Sequence, residues 1–131
     1  MSPPDVPMPG DEEAAGPLEG ARLADRIANE LELLERNVEL LERLANNPPM
    51  GIIRLSEAMH LPIHKVRYSL HLLEREGVIQ PSADGAVVTD LVEEYWANLN
   101  RSLERMSLRL EALRSRAGAH RGRGSVRRKG Y

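Results

Sequence analysis

Five large polar side chains able to donate hydrogen bonds are concentrated between residues 64 and 71. Val66, Leu70 and Leu73 recur at the spacing of one helix face, which predicts a helix with the polar side chains directed outward. Outward donors of this kind can bind phosphates or base edges, and the alternative is an ordinary solvated face. The five residues are His64, Lys65, Arg67, Tyr68 and His71.

The C-terminal tail is a second source of positive charge. Residues 114–131 carry seven Lys and Arg and no acid, whereas residues 1–20 carry five acids and no base. Residues 21–113, between these two segments, hold 15 acids and 11 bases, and the three segments together give the net charge of −2. Such a tail can bind phosphates without reading sequence, and the alternative is a solubilising or RNA-binding end. The tail residues predicted to make non-specific phosphate contacts are Arg121, Arg123, Arg127, Arg128 and Lys129.

The four histidines do not form a metal-binding pattern. Pro62 separates His60 from His64, and His64 lies about 10 Å along a helix from His71, too far to share one ion. Because cysteine is also absent, no metal and no cofactor are predicted, with a metal site across a dimer interface as the alternative. No nucleophile elbow or glycine-rich phosphate loop is present, so the protein is not expected to be an enzyme.

Two long helices are predicted to flank a short central segment. Over 18–45 and again over 90–115, apolar residues recur at alternating spacings of three and four, which is typical of a coiled-coil seam. The centre is too small to cover both seams, which predicts a homodimer; the alternative is a monomer whose two long helices pack together. Trp96 and Met106 could also line a pocket for an unknown effector ligand. The residues predicted to form the dimer are Ile27, Leu31, Leu34, Val38, Leu41, Trp96, Leu99, Leu103, Met106 and Leu110.

Shorter elements make up the central segment. A short helix is predicted to begin at Ile53 or Leu55, with Ser56 as its cap. A later helix is stopped by Gly77, and an Asp-Gly pair between two β-branched runs is typical of a hairpin. The predicted order is a helix to about 60, a turn at 61–63, a helix at 64–76, a strand at 78–80, a turn at 81–85 and a strand at 86–89.

Residues in the turn, in the helix that follows it and in the hairpin carry a family resemblance. They are Leu61 in the turn, the pattern V-x3-L-x2-L-E-x2-G from Val66 to Gly77, and then Val78, Ile79, Gly85 and Thr89. With the order of the elements, residues 50–90 resemble the winged helix-turn-helix domains of prokaryotic transcription regulators, such as ArsR-like, MarR-like and short archaeal-type proteins. The resemblance implies a mainly α fold with a small β-hairpin, flanked by long N- and C-terminal coiled-coil-like helices.

The resemblance also implies a function and a site. In such domains the helix at 64–76 enters the major groove of double-stranded DNA. The five polar residues of that helix would bind DNA together with Arg54, and Tyr68 could instead pack on Leu72. The implied protein is a homodimeric transcriptional repressor bound to a near-palindromic site. One departure is the hairpin tip at 80–85, which has one acid and no cation where wings that grip DNA usually carry Arg or Lys.

Composition sets the limits of the folded part. It is predicted to span 18–115, between a disordered acidic, proline-rich N-terminal tail at 1–17 and a disordered basic tail at 116–131. No signal peptide or membrane span is recognisable, and cysteine is absent, which favours the cytoplasm. The alternatives to a regulator are a winged-helix module that binds proteins and a protein that binds DNA non-specifically through its basic tail.

Overall fold

A computed structural model of the protein describes residues 19–121, with side chains from Arg22 onward. Within that range the chain forms four helices and one two-stranded antiparallel hairpin, which confirms the predicted mainly helical fold with a small β-hairpin. The predicted N-terminal tail at 1–17 lies outside the described residues. The elements are α1 (Glu19–Asn46), α2 (Ile52–Met59), α3 (Ile63–Arg75), β1 (Ile79–Ser82), β2 (Gly85–Val88) and α4 (Val92–Arg121).

The chain divides after Val88 into two compact units. The first contains α1, α2, α3 and the hairpin, and the second contains α4. No helix within residues 19–121 combines the length and apolarity needed to cross a bilayer.

The C-terminal half of α1 supplies much of the core of the first unit. Here Leu40, Leu41 and Leu44 are buried, and α1 packs against α3 and β2. The prediction that Leu41 contacts a second copy is therefore corrected: the side chain is fully buried in its own chain and has no surface to offer a partner. By contrast, Ile27 and Leu31 in the N-terminal half of α1 are about half exposed, at 54% and 48%.

The connection between α2 and α3 is sharp because His60 adopts a left-handed conformation, with φ 56°. Its N–H donates to the Glu57 carbonyl at 3.3 Å, and the Leu61 N–H donates to the Ser56 carbonyl at 3.1 Å. Ser56 is not the cap of α2 that was predicted. It lies inside the helix, which begins after Gly51, and its hydroxyl donates to the Leu61 carbonyl at 2.5 Å, so it holds the turn rather than the helix start.

Helix α3 ends at Arg75, and Gly77, two residues further on with φ +80°, stops it as predicted. The Gly77 N–H donates to the Glu74 carbonyl at 2.9 Å, and the Val78 N–H reaches back to the Leu73 carbonyl at 3.2 Å. These two hydrogen bonds define a Schellman motif, which satisfies carbonyls at the helix end and turns the chain. The motif brings the chain directly into β1 at Ile79.

The hairpin is tighter than predicted. Ser82 pairs with Gly85, so only two residues form the loop instead of the predicted turn at 81–85. The Ser82 hydroxyl donates to the Gly85 carbonyl at 2.6 Å and accepts from the Asp84 N–H at 3.2 Å. A bridge that the sequence did not predict joins Met50 to Ala86, whose N–H donates to the Met50 carbonyl at 3.0 Å. The hairpin is thereby attached to the segment that precedes α2.

Helix α4 begins at Val92 and is preceded by a turn that starts at Thr89. The Thr89 hydroxyl accepts the Leu91 N–H at 3.3 Å, and its carbonyl accepts the Val92 N–H at 3.2 Å. The carboxylates of Glu93 and Glu94 in its first turn interact favourably with the helix dipole. The helix continues to Arg121. The predicted start of a disordered tail at 116 is therefore wrong for residues 116–121, and residues 122–131 lie outside the described part of the chain.

Gly85 leaves no room for a side chain. A Cβ there would lie 2.5 Å from the Met50 carbonyl oxygen, and the residue has φ +130°. We expect Gly85→Ala to lower the free energy of unfolding by about 2 kcal/mol or more, measured by urea denaturation. The matched control is Gly51→Ala, where the added Cβ meets nothing within 4 Å and the loss should stay below about 1 kcal/mol. Equal losses of stability in the two variants would contradict the conclusion that Gly85 has no room for a side chain.

Candidate nucleic-acid interface

One side of α3 is packed against the first unit. Val66, Ser69 and Leu73 on that side are fully buried, and α3 contacts α1, α2 and β1. At about 100° per residue, the exposed residues opposite fall within an arc of about 100°. We call them the donor face, which consists of His64, Arg67, Tyr68, His71 and Arg75, all exposed.

The donor face contains four of the five residues predicted on this helix. Lys65 is exposed, but it projects about 60° beyond the edge of the arc. Its carbonyl accepts a hydrogen bond from the Arg36 guanidinium at 3.5 Å, which places this flank of α3 beside α1. Tyr68 is 53% exposed, so about half of the residue is open to solvent.

Arg75 belongs to the donor face although the sequence prediction did not include it. It lies four residues after His71 and eight after Arg67, which is the spacing of one helix face. That signal is present in the sequence, but the predicted contacts covered only the first part of the helix. Arg54, the remaining predicted contact, is exposed in the first turn of a different helix, α2.

The positive charge of the donor face is moderate. Arg67 and Arg75 supply two cations, and the carboxylate of Glu74 lies at the margin of the face. The Nδ1 atom of His71 lies 3.9 Å from Glu74 Oε1, a distance at which protonated imidazole forms an ion pair. Both side chains are largely exposed, so solvent screens this pair and leaves the imidazole accessible to a partner.

A cavity of about 250 Å³ opens between α3, the hairpin and the start of α2. Leu70, Ile79 and Ala86 contribute apolar surface, and Arg67 and His71 of the donor face also line the cavity. The sequence did not predict this cavity because it depends on the bridge between Met50 and Ala86. Its hairpin side carries Gln80, Pro81 and Ser82, so this wall, like the exposed Asp84 at the loop, contributes no cation.

The other predicted contacts are distributed along the helices. Arg121 is exposed at the end of α4, and Arg123, Arg127, Arg128 and Lys129 lie outside the described residues. Of the predicted dimer residues, the exposed ones are Ile27, Leu31, Leu103, Met106 and Leu110, and the half-buried ones are Leu34, Val38, Trp96 and Leu99.

Comparison with known proteins does not assign the chain to a family. No family model matches the sequence, and no curated protein is significantly similar to it. Among the described side chains, no group of three or more His, Asp or Glu residues is arranged to hold a metal ion. The functional assignment therefore depends on the geometry of the donor face.

Ser69 lies directly beneath the donor face, and its fully buried hydroxyl has no hydrogen-bond partner. Removing such a hydroxyl removes a desolvation penalty, so we expect Ser69→Ala to leave the free energy of unfolding unchanged or to raise it by up to about 1 kcal/mol. The control is Leu73→Ala on the same buried side, which should lower it by about 2–5 kcal/mol. Chemical denaturation followed by circular dichroism measures both. A large loss in Ser69→Ala would show that its hydroxyl is bonded in solution.

Proposed function

We propose that the protein is a double-stranded DNA-binding transcription regulator with a winged helix-turn-helix domain. In this assignment α2 and α3 are the helix-turn-helix pair and the β1–β2 hairpin is the wing. The observation that carries the proposal is the donor face itself: five exposed polar side chains lie on one side of α3, and the opposite side is fully buried. A helix held in this way presents its side chains in a fixed orientation.

The dimensions of α3 fit the major groove. Its 13 residues give a length of about 20 Å, and the groove is about 12 Å wide and admits an α-helix. Residues near the N-terminus of such a helix contact base edges, which assigns base reading to His64, Arg67 and Tyr68. Arg67 can bind guanine through two hydrogen bonds. Arg75, near the opposite end of the helix, is better placed to bind a phosphate.

Two copies acting together account for the exposed apolar residues of the long helices. Ile27 and Leu31 of α1, and Leu103, Met106 and Leu110 of α4, are all more than a third exposed in the single chain. In a homodimer the two α3 helices would enter successive major grooves, so the binding site is near-palindromic with half-site centres about 34 Å apart. The mode of action that we propose is repression by occlusion of the bound site.

Arg67→Ala tests the assignment of base reading. We expect it to weaken binding to the best duplex recovered from random sequences by about tenfold or more, because a bidentate hydrogen bond to a base is removed. Lys65→Ala is the matched control: it also removes one cation, but from the flank of α3, so its effect should be smaller and equal on all duplexes. Fluorescence anisotropy with the full chain measures both affinities. An effect of Lys65→Ala as large as that of Arg67→Ala would contradict the orientation of α3.

Replacing Arg123, Arg127, Arg128 and Lys129 together by Ala tests the tail. If the tail binds phosphates non-specifically, the slope of log affinity against log salt should fall by about one unit for each phosphate that the variant no longer neutralises. The preferred DNA sequence should stay the same, because phosphate contacts do not discriminate between bases. Loss of all binding in this variant, with no effect of Arg67→Ala, would favour the non-specific hypothesis.

A protein-binding module is the second candidate, and the hairpin supports it. The loop carries Asp84 and no cation, and the walls of the 250 Å³ cavity beside the hairpin are mainly apolar. A wing of that composition contributes little to DNA affinity and is compatible with a peptide partner. If neither Arg67→Ala nor the tail variant changes any DNA affinity, this second function replaces the first.

A further inference from the structure

Helix α4 carries a regular heptad seam that is exposed in its C-terminal part. Val92, Trp96, Leu99, Leu103, Met106, Leu110 and Leu113 alternate at spacings of four and three, the d and a positions of a heptad. No residue of α4 is buried, and Leu103, Met106, Leu110 and Leu113 are 38–57% exposed. The e and g positions beside the seam decide how a second copy can lie against it.

Parallel pairing of two α4 helices places like charges together. In a parallel coiled coil each g residue faces the e residue five positions later in the partner. Arg109 would then face the partner's Arg114, and Arg116 would face the partner's Arg121. Because the pairing is symmetric, each of these arginine–arginine contacts occurs twice along the C-terminal half of the helix.

Antiparallel pairing removes these contacts. With Leu103 opposite the partner's Met106, the seam stays in register and Trp96 lies opposite the partner's Leu113. Glu93 then faces the partner's Arg114 as an ion pair. Tyr95 faces the partner's Arg116, where a cation–π contact is favourable. The acidic first turn of each helix also lies against the basic end of the other, and the two helix dipoles are antiparallel, which is favourable.

We propose that two copies of this chain pair through α4 in antiparallel orientation, centred between Leu103 and Met106. The inference rests on the homodimer in the proposed function and specifies its interface. The two Val92 residues then lie about 38 Å apart along the axis of the pair, whereas parallel pairing brings them to within about 10 Å.

Charge reversal at Arg114 distinguishes the two orientations. In antiparallel pairing Arg114→Glu sets two acids against each other and should weaken the dimer about tenfold, measured by sedimentation equilibrium of the full chain. The double variant Glu93→Arg/Arg114→Glu restores the ion pair and should recover the wild-type dissociation constant. In parallel pairing Arg114→Glu faces Arg109 and should strengthen the dimer instead. A strengthened dimer, or a double variant no better than the single one, would overturn the proposal.

Arg101→Glu is the matched control for that experiment. Arg114 forms an ion pair with Glu111 at 3.0 Å within its own helix, so Arg114→Glu also creates an acidic pair three residues apart. Arg101→Glu creates the same spacing with Glu104, but position 101 lies on the outer side of the helix, away from the seam. We expect it to leave the dissociation constant unchanged, and a loss equal to that of Arg114→Glu would overturn the proposed contact.

Spin-label distances test the orientation directly, because the chain has no cysteine and accepts single labels. In the antiparallel dimer, labels on Glu94→Cys lie about 32 Å apart along the axis and labels on Leu108→Cys about 10 Å apart. Equal short distances at both positions would overturn the orientation and leave the dimer and DNA binding in place. A monomer would overturn the pairing, and the Arg67→Ala experiment would still decide DNA binding separately.

Discussion

The burial of one side of α3 is the constraint on which the candidate interface depends. Val66, Ser69 and Leu73 are completely enclosed, and α1, α2 and β1 all contact this helix. Because the opposite face of the helix is then fixed in direction, five polar side chains are presented together on it. The left-handed turn at His60 and the Schellman motif at Gly77 set the two ends of this helix.

A different constraint acts on α4, where the distribution of charge matters more than the apolar seam. A heptad seam is satisfied equally well by parallel and antiparallel partners, so hydrophobic burial does not select between them. The arginines beside the seam are concentrated in its C-terminal half, and the acids begin the helix. That asymmetry disfavours a parallel pair and connects the geometry of the proposed dimer to a pattern visible in the sequence.

Local sequence patterns predicted the order of the helices, the hairpin and the end of α3. Helix periodicity, Gly77 and the turn residues determine the backbone conformation of the few residues around them, so their effects can be predicted from the sequence. The features that were missed depend on contacts between distant segments. The bridge from Met50 to Ala86, the lack of space at Gly85 and the complete burial of Leu41 follow from packing. Lys65 lies outside the donor face because the limits of that face are set by which side of α3 its neighbours cover. Arg75 follows the helix spacing, but the predicted contacts ended at His71.

The central claim is that α3 reads DNA through its donor face. Selection from random duplex DNA at about 150 mM salt, run in parallel on the full chain and on its Arg67→Ala variant, tests this most directly. We predict a near-palindromic motif for the wild-type chain, with preference relaxed at one symmetric pair of positions in the variant. Enrichment of no motif by the wild-type chain, or of the same motif with the same preference by both proteins, would contradict it.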